Sequence, residues 1–136
     1  MKYEEMSETD KEMYGTCQRI AEKLFCFAHR DMLYDTEEGK MIDKEDLPDD
    51  YDDERYQDLI MYLLDDDLGV KIVTSLDGQS MYSCEICMGW GGPSIYVDTK
   101  EKAVVGYWGF SKVEYPLDSE TCATINDAID DYRSGF

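Results

Sequence analysis

The chain changes its hydrophobic period within residues 70–88, VKIVTSLDGQSMYSCEICM. Before this stretch apolar residues recur every three or four positions. From Val70 onward they alternate with polar residues, which is typical of half-buried strands. Asp77-Gly78 favours a tight turn, because glycine adopts positive φ at little cost. The stretch therefore predicts two strands, 71–75 and 80–88, joined by a hairpin turn.

The alternating pattern continues towards the C-terminus. Residues 94–98 (SIYVD) and 103–108 (AVVGYW) are rich in the β-branched and aromatic side chains that strands favour. Residues 112–115 predict either an extension of the fourth strand or a short fifth one. Because the connections are short, we expect an antiparallel four-stranded meander within residues 70–115.

Helical periodicity flanks this sheet on both sides. A capping box at Thr9–Glu12 and an apolar face predict a first helix at about 9–34. Residues 35–49 predict an acidic loop, followed by a second helix at about 50–67. A third helix is predicted at about 118–133, with Asp118 or Ser119 as its cap. The fold class is therefore α+β, a single domain over 1–136 with two N-terminal helices and one C-terminal helix.

The charge of the chain is strongly negative. It has 32 acidic and 13 basic residues, a net charge of −19, and residues 35–67 alone hold 15 acids against three bases. Such a surface repels DNA, RNA and anionic membranes, and it attracts basic protein surfaces. Because duplex DNA carries one charge per about 1.7 Å of axis, a surface lined with carboxylates can imitate its field. The predicted partner is the basic nucleic-acid-binding surface of a host protein, with no direct nucleic-acid or membrane partner.

The predicted contact residues follow from the second helix. On a helix Glu54, Asp58 and Asp65 share one side, over about 16 Å. Met61 and Tyr62 flank that side and would supply apolar contacts. The whole predicted partner-binding set is Asp49, Asp50, Asp52, Asp53, Glu54, Asp58, Met61, Tyr62, Asp65, Asp66, Asp67 and Trp90.

The residues that could carry catalysis or bind a metal do not form a known motif. Cys84 and Cys87 have C-x-x-C spacing, but no second pair completes a zinc ribbon, and a strand directs the two side chains to opposite faces. His29, the single histidine, is interpreted as a helix-end residue. There is no P-loop, G-x-S-x-G elbow or EF-hand spacing. We therefore predict no catalytic residue, no metal site and no cofactor.

The Gly89-Trp90-Gly91-Gly92-Pro93 segment allows two interpretations. It is either a turn with Trp90 folded back on the core or a loop that contacts a ligand. The second interpretation gives an alternative function, a small-molecule or peptide binding module. A metal-dependent enzyme that cleaves RNA or a nucleotide is a further alternative, because any two of the many carboxylates could meet.

Residues 84–99 and Tyr107-Trp108-Gly109 together resemble a pattern in small uncharacterised proteins of phages and mobile elements of Gram-positive bacteria. In size and charge the chain is also similar to anti-CRISPR and anti-restriction proteins. This resemblance implies a phage or mobile-element inhibitor of a bacterial nucleic-acid-handling defence enzyme, with a CRISPR effector nuclease as the expected target, that acts as an acidic nucleic-acid mimic.

The expected location is the bacterial host cytoplasm. The N-terminus is acidic and lacks the apolar region of a secretory signal, and no apolar run approaches the length of a membrane span. Five cysteines are expected as reduced thiols there. The sequence leaves open the identity of the target and the oligomeric state.

Overall fold

A computed structural model describes residues 4, 6–66, 68–90 and 92–135, and within them it has three α-helices and two antiparallel sheets. The predicted α+β class is confirmed. The elements are α1 (Glu8–His29), β1 (Met32–Asp35), β2 (Lys40–Asp43), β3 (Tyr56–Gln57), α2 (Leu59–Leu64), β4 (Val70–Thr74), β5 (Met81–Gly89), β6 (Ser94–Asp98), β7 (Ala103–Trp108), β8 (Ser111–Pro116) and α3 (Ser119–Ser134).

The larger sheet is a meander in the order β4-β5-β6-β7-β8. It has five strands where four were predicted, because residues 111–116 pair along the whole of β7 instead of merely extending it. The predicted hairpin turn between β4 and β5 is confirmed. Gly78 has a φ of +73° there, and the Asp77 carboxylate accepts hydrogen bonds from the Ser75 hydroxyl and the Gln79 amide.

The hydrophobic core lies between one face of this sheet and two helices. Helix α1 packs on β7 and β8, and α3 packs on β5. Leu24, Val97, Val104 and Ile125 are completely buried at this interface. Burying one such side chain stabilises the fold by about 1.5–3 kcal/mol. The alternating strands and the periodic helices therefore supply matching apolar faces.

The first helix ends earlier than predicted. The expected range was 9–34, but α1 stops at His29 and begins with Ser7, not Thr9, as its N-cap. The prediction of a loop over 35–49 is also wrong, because Met32–Asp35 pairs with Lys40–Asp43 as a hairpin. A short 3-10 turn, Lys44–Asp46, follows it. The extended conformation is favoured here because it buries Leu33, and β1 as a whole contacts α1.

The second helix is far shorter than the predicted 50–67. Helix α2 spans Leu59–Leu64 only, and Asp58 caps it by accepting a hydrogen bond from the Met61 amide. Two effects explain the difference. The crowded acids before it repel one another, and the aspartates, which are most of them, have low helix propensity. Tyr56–Gln57 also pairs with β1 and so cannot be helical.

The C-terminal helix matches its prediction of 118–133 closely. Helix α3 spans Ser119–Ser134, and the Asp118 side chain caps it by accepting from the Thr121 amide. Across the described part of the chain, no helix has the length and apolar character required to span a bilayer.

A substitution at Gly106 on β7 tests the packing of α1 on the sheet. A Cβ at this position would lie 2.5 Å from Cγ and 2.8 Å from Sδ of Met13, which is itself buried. Gly106→Ala should therefore lower the free energy of unfolding by about 1–3 kcal/mol, measured by urea denaturation. Gly92→Ala is the control, because a Cβ there would meet no atom of the described residues within 4 Å. Equal stability of the two variants would contradict the described packing.

Candidate functional site

An ion pair with a buried carboxylate holds the start of the acidic segment, residues 35–67, in place. Nε and Nη2 of Arg55 each lie 2.9 Å from a different carboxylate oxygen of Asp35, so the contact is bidentate. Asp35 is only 2 % exposed. Its Oδ1 also accepts hydrogen bonds from the amides of Glu37 and Glu38, at 3.0 and 3.3 Å. Every hydrogen-bonding requirement of this buried carboxylate is met within the turn after β1 and by Arg55.

Arg55 also fixes the backbone around it. Its carbonyl accepts from both the amide and the hydroxyl of Thr36, at 2.9 and 2.8 Å, and its Nη1 lies 3.0 Å from a Glu37 oxygen. Residue 55 is thereby tied to the β1–β2 turn, and the intervening residues form a closed loop. The loop's two ends cannot separate without breaking the Asp35–Arg55 pair.

The chemistry of Asp35 is altered by this arrangement. The hydrogen bond from Arg55 is the largest cause that lowers the pKa of Asp35, to about 2, and it outweighs burial, which raises it. The carboxylate therefore stays ionised throughout the neutral and mildly acidic range. One acid of the negative segment thus serves the fold, and it is not available to a partner.

The remaining predicted acids form an outward surface. We use the term acidic surface for the eight predicted contact acids that the structure describes. All eight are exposed, and none forms an ion pair with a lysine or arginine of the described residues. Asp67, also predicted to take part, lies outside the described residues. The acidic surface consists of Asp49, Asp50, Asp52, Asp53, Glu54, Asp58, Asp65 and Asp66.

The members of the acidic surface differ in what else they do. Asp52 accepts from the Glu54 amide, Asp58 caps α2, and Asp65 accepts from the Gln57 side chain at 2.7 Å. The other five have no side-chain hydrogen bond among the described residues. The predicted helical ridge of Glu54, Asp58 and Asp65 is wrong, because Glu54 lies in the loop before α2, and Asp58 and Asp65 are the two caps of this short helix. Five acids of the acidic surface lie in the loop that Arg55 closes, and the other three lie at or just beyond the ends of α2.

The two apolar residues expected beside the ridge differ in their exposure to solvent. Met61 is exposed, as expected. Tyr62 instead packs against Phe27 of α1 and Tyr34 of β1, with ring centroids 5.5 and 5.2 Å apart, and burial raises its pKa. Tyr62 therefore joins the acidic segment to the core, and Met61 is left as the apolar side chain facing outward.

Trp90 lies at the same end of the meander as three other exposed aromatic residues. It is 73 % exposed, so the interpretation that it folds back on the core is wrong. The β5–β6 and β7–β8 connections are at the same end of the meander, since Ser94 pairs with Tyr107. Tyr107, Trp108 and Phe110 at this end are also exposed. Gly91, within the same loop, lies outside the described residues.

The thiol pair of the C-x-x-C spacing is separated by the strand, as predicted. Cys84 faces the core, where its amide donates to the Thr99 hydroxyl, whereas Cys87 Sγ contacts the Gly89 carbonyl at 3.4 Å. Burial raises the pKa of Cys84 to about 11, and likewise that of Cys17. Neither buried thiol is therefore a ready nucleophile at neutral pH, since the thiolate is the reactive form.

One group of potential metal ligands was not predicted. His29 at the end of α1 meets Asp118 and Glu120 at the start of α3, and the three ligand atoms lie within 4.8 Å of one another. Among the described residues this is the only such group of three or more. Nε2 of His29 is 2.7 Å from Asp118, and Nδ1 is 3.3 Å from Glu120. Both ring nitrogens already have carboxylate partners, so a cation would have to displace one of them.

The same geometry also has a structural explanation. His29 is at the negative end of one helix dipole, and the two acids are at the positive end of another. The Phe25 ring stacks on the imidazole at 4.2 Å. Burial would raise the pKa of Asp118, but hydrogen bonds from Thr121 and His29 hold it below its ordinary value. The cluster joins two helix ends that are 89 residues apart in the sequence.

Sequence reasoning can identify each partner of this cluster separately but not their meeting. The pattern predicts His29 as a helix-end residue and Asp118 as a cap. Only the packing of α1 against α3 brings them together.

Comparison with known proteins gives no relative on which to base a function. No protein-family model, curated protein or solved structure matches this chain. A function can therefore be inferred only from the geometry and charge of the chain's own residues.

The pH dependence of stability tests the Asp35–Arg55 pair. Because the folded-state pKa of Asp35 is lowered from 3.8 to about 2, its contribution is complete above pH 4 and is lost as the pH falls towards 2. We expect Asp35→Asn to be less stable than the wild type at neutral pH. The difference in unfolding free energy between the two proteins should become smaller as the pH falls from 4 towards 2. Urea denaturation between pH 6 and pH 2 measures both effects. Asp49→Asn, which removes an exposed and unpaired acid, is the control, and parallel wild-type and Asp35→Asn curves would contradict the assignment.

Two substitutions at Asp118 distinguish its role as the cap of α3 from its ion pair with His29. Asp118→Ala removes both contacts and should cost about 1 kcal/mol of unfolding free energy. Asp118→Asn keeps one oxygen that can accept from the Thr121 amide and removes the negative charge that faces His29, so it should cost clearly less unfolding free energy than Asp118→Ala. Urea denaturation at neutral pH compares them. If Asn costs as much as Ala, the ionic contact and not the cap is what Asp118 contributes.

Proposed function

We propose that this protein binds the basic nucleic-acid groove of another protein and blocks it, by presenting carboxylates in place of phosphates. The observation that carries the proposal is the acidic surface, in which eight exposed acids have no basic partner within the described chain. Asp35, in contrast, is paired with Arg55. Three of the eight acids accept hydrogen bonds within the chain, but the charges of all eight are left for an external cation.

The attachment of the acidic surface to the fold also supports the proposal. A mimic of a stiff polyanion gains affinity if its charges are already in position, because less ordering is required on binding. The Asp35–Arg55 pair and the Tyr62 contacts hold the acidic segment against α1 and β1. The net charge of −19 would steer a basic partner towards this surface and make association sensitive to salt.

The proposed target class is a bacterial defence nuclease, with a guide-loaded CRISPR effector as the first candidate. Such enzymes hold nucleic acid in positively charged channels. This choice rests on the resemblance in size and charge to small acidic inhibitors. The proposed site of action is accordingly the bacterial cytoplasm.

A binding module for a peptide or small molecule is the second candidate. The exposed rings of Trp90, Tyr107, Trp108 and Phe110 at one end of the meander favour it, because aromatic side chains are frequent anchors of interfaces. A metal-dependent nuclease has less support. Its only ligand group among the described residues is the His29 cluster, whose ring nitrogens are already engaged.

A competition experiment tests the proposed function. Purified guide-loaded CRISPR nucleases and restriction nucleases would be incubated with labelled target duplex and increasing amounts of this protein. For a true target, the protein should displace the duplex, and its effect should weaken as salt is raised. A variant carrying Asp49→Asn, Asp50→Asn, Asp53→Asn and Glu54→Gln should displace half of the duplex only at a protein concentration at least about tenfold higher than the wild type requires.

The controls distinguish the acidic surface from total charge and from the exposed aromatic residues at the end of the meander. Glu12→Gln, Glu22→Gln, Glu101→Gln and Asp127→Asn together remove the same number of exposed charges elsewhere and should leave displacement nearly unchanged. Trp90→Ala tests the aromatic candidate. Undiminished displacement by the acidic-surface variant, or its loss in Trp90→Ala alone, would contradict the proposed function.

A further inference from the structure

A groove of about 430 Å³ lies between α2 and α3, next to the acidic surface. Leu59 and Ile60 of α2 form one wall, and Ala128 and Tyr132 of α3 contribute to the other. Asp58 and Asp131 line the same groove and are exposed. The site thus combines apolar walls with two carboxylates from different helices.

The helices that form the groove supply no cation to these carboxylates. Helix α2 has no basic residue, and α3 has only Arg133. Arg133 is engaged elsewhere, since its Nε contacts Asp130 at 2.7 Å and its Nη1 donates to the Gly78 carbonyl at 2.9 Å. Neither Asp58 nor Asp131 has an ion-pair partner among the described residues. The two carboxylates of the groove are therefore available to pair with a cation of another molecule.

We propose that this groove binds an arginine side chain of the basic partner, an inference that rests on the proposed function. The aliphatic part of the side chain would pack on Leu59, Ile60 and Ala128, as long cationic side chains do on apolar surfaces. The guanidinium group would lie between Asp58 and Asp131. The half-exposed ring of Tyr132 would offer it an aromatic face.

Arginine fits these features better than lysine does. A guanidinium is planar and weakly hydrated, and it stacks on aromatic rings while bonding to carboxylates. An ammonium group is a compact, strongly hydrated charge that gains less from an apolar groove. The groove would therefore act as an arginine-specific anchor beside a surface that attracts any cation.

The probe for this site is a short glycine-spaced peptide with three arginines, compared with its lysine and citrulline counterparts. Affinity would be measured by fluorescence anisotropy, and contact by NMR shifts of the Ala128 methyl and the Tyr132 ring. We expect the arginine peptide to bind most tightly and to shift both groups, and the citrulline peptide not to bind. Ala128→Leu, which fills the groove without changing charge, should weaken arginine-peptide binding about tenfold.

Asp131→Asn and Asp127→Asn form a matched pair, since both remove one exposed charge from α3 but only Asp131 lines the groove. Asp131→Asn should weaken the arginine peptide several-fold more than Asp127→Asn does. Thermal unfolding of each variant verifies its folding, and Asp131→Asn provides the test should Ala128→Leu not fold. Equal affinity for the arginine and lysine peptides, or equal effects of the matched pair, would overturn the arginine site.

Failure of this inference is distinguishable from failure of the proposed function. If the groove variants bind the arginine peptide normally while the four-acid variant of the loop no longer displaces DNA, the mimic is supported and the groove is not its anchor. If the groove variants lose the peptide while the four-acid variant still displaces DNA, the groove is supported and the acidic surface is not.

Discussion

The Asp35–Arg55 ion pair is the constraint on which the display of charge depends. A segment with so many like charges tends to expand, because self-repulsion opposes compaction. The bidentate contact closes the chain between β1 and β3, and the Thr36 bonds to the Arg55 carbonyl reinforce it. Breaking such a pair would leave a buried charge without compensation. One acid and one base are thus used internally, and the acids between them are held facing solvent.

The first helix and the C-terminal half of the fold could largely be predicted from the sequence, whereas residues 30–66 could not. From Val70 onward the strands are consecutive and local, so periodicity and the Asp77-Gly78 turn were sufficient. The fifth strand was only one of two predictions, because Gly109 and the aromatic residues near it obscure its start. In the N-terminal half, Leu33 and Tyr56 belong to strands that pair across about 20 residues. Their helical-looking spacing was overridden by tertiary pairing, which a local pattern does not contain.

The candidate site shows the same division. Composition located the acids and identified them as exposed, which Asp49, Asp53 and Glu54 are. It could not identify Asp35 as the structural exception, because its role requires Arg55 at the other end of a loop. Nor could it predict the groove or the His29 cluster, since each needs α3 packed against an N-terminal helix. Charge density is readable from sequence, but the choice of which charges are neutralised is a property of the fold.

The most direct test of a fixed anionic surface is to measure the near-surface electrostatic potential at each backbone amide. Solvent paramagnetic relaxation by cationic and anionic nitroxides of equal size would provide it at physiological salt. We expect the amides of residues 49–54 to have the most negative potential in the chain, and we expect Asp35→Asn to make that potential less negative by releasing the loop. Potentials there no more negative than those along the outer side of α3 would contradict a fixed anionic surface.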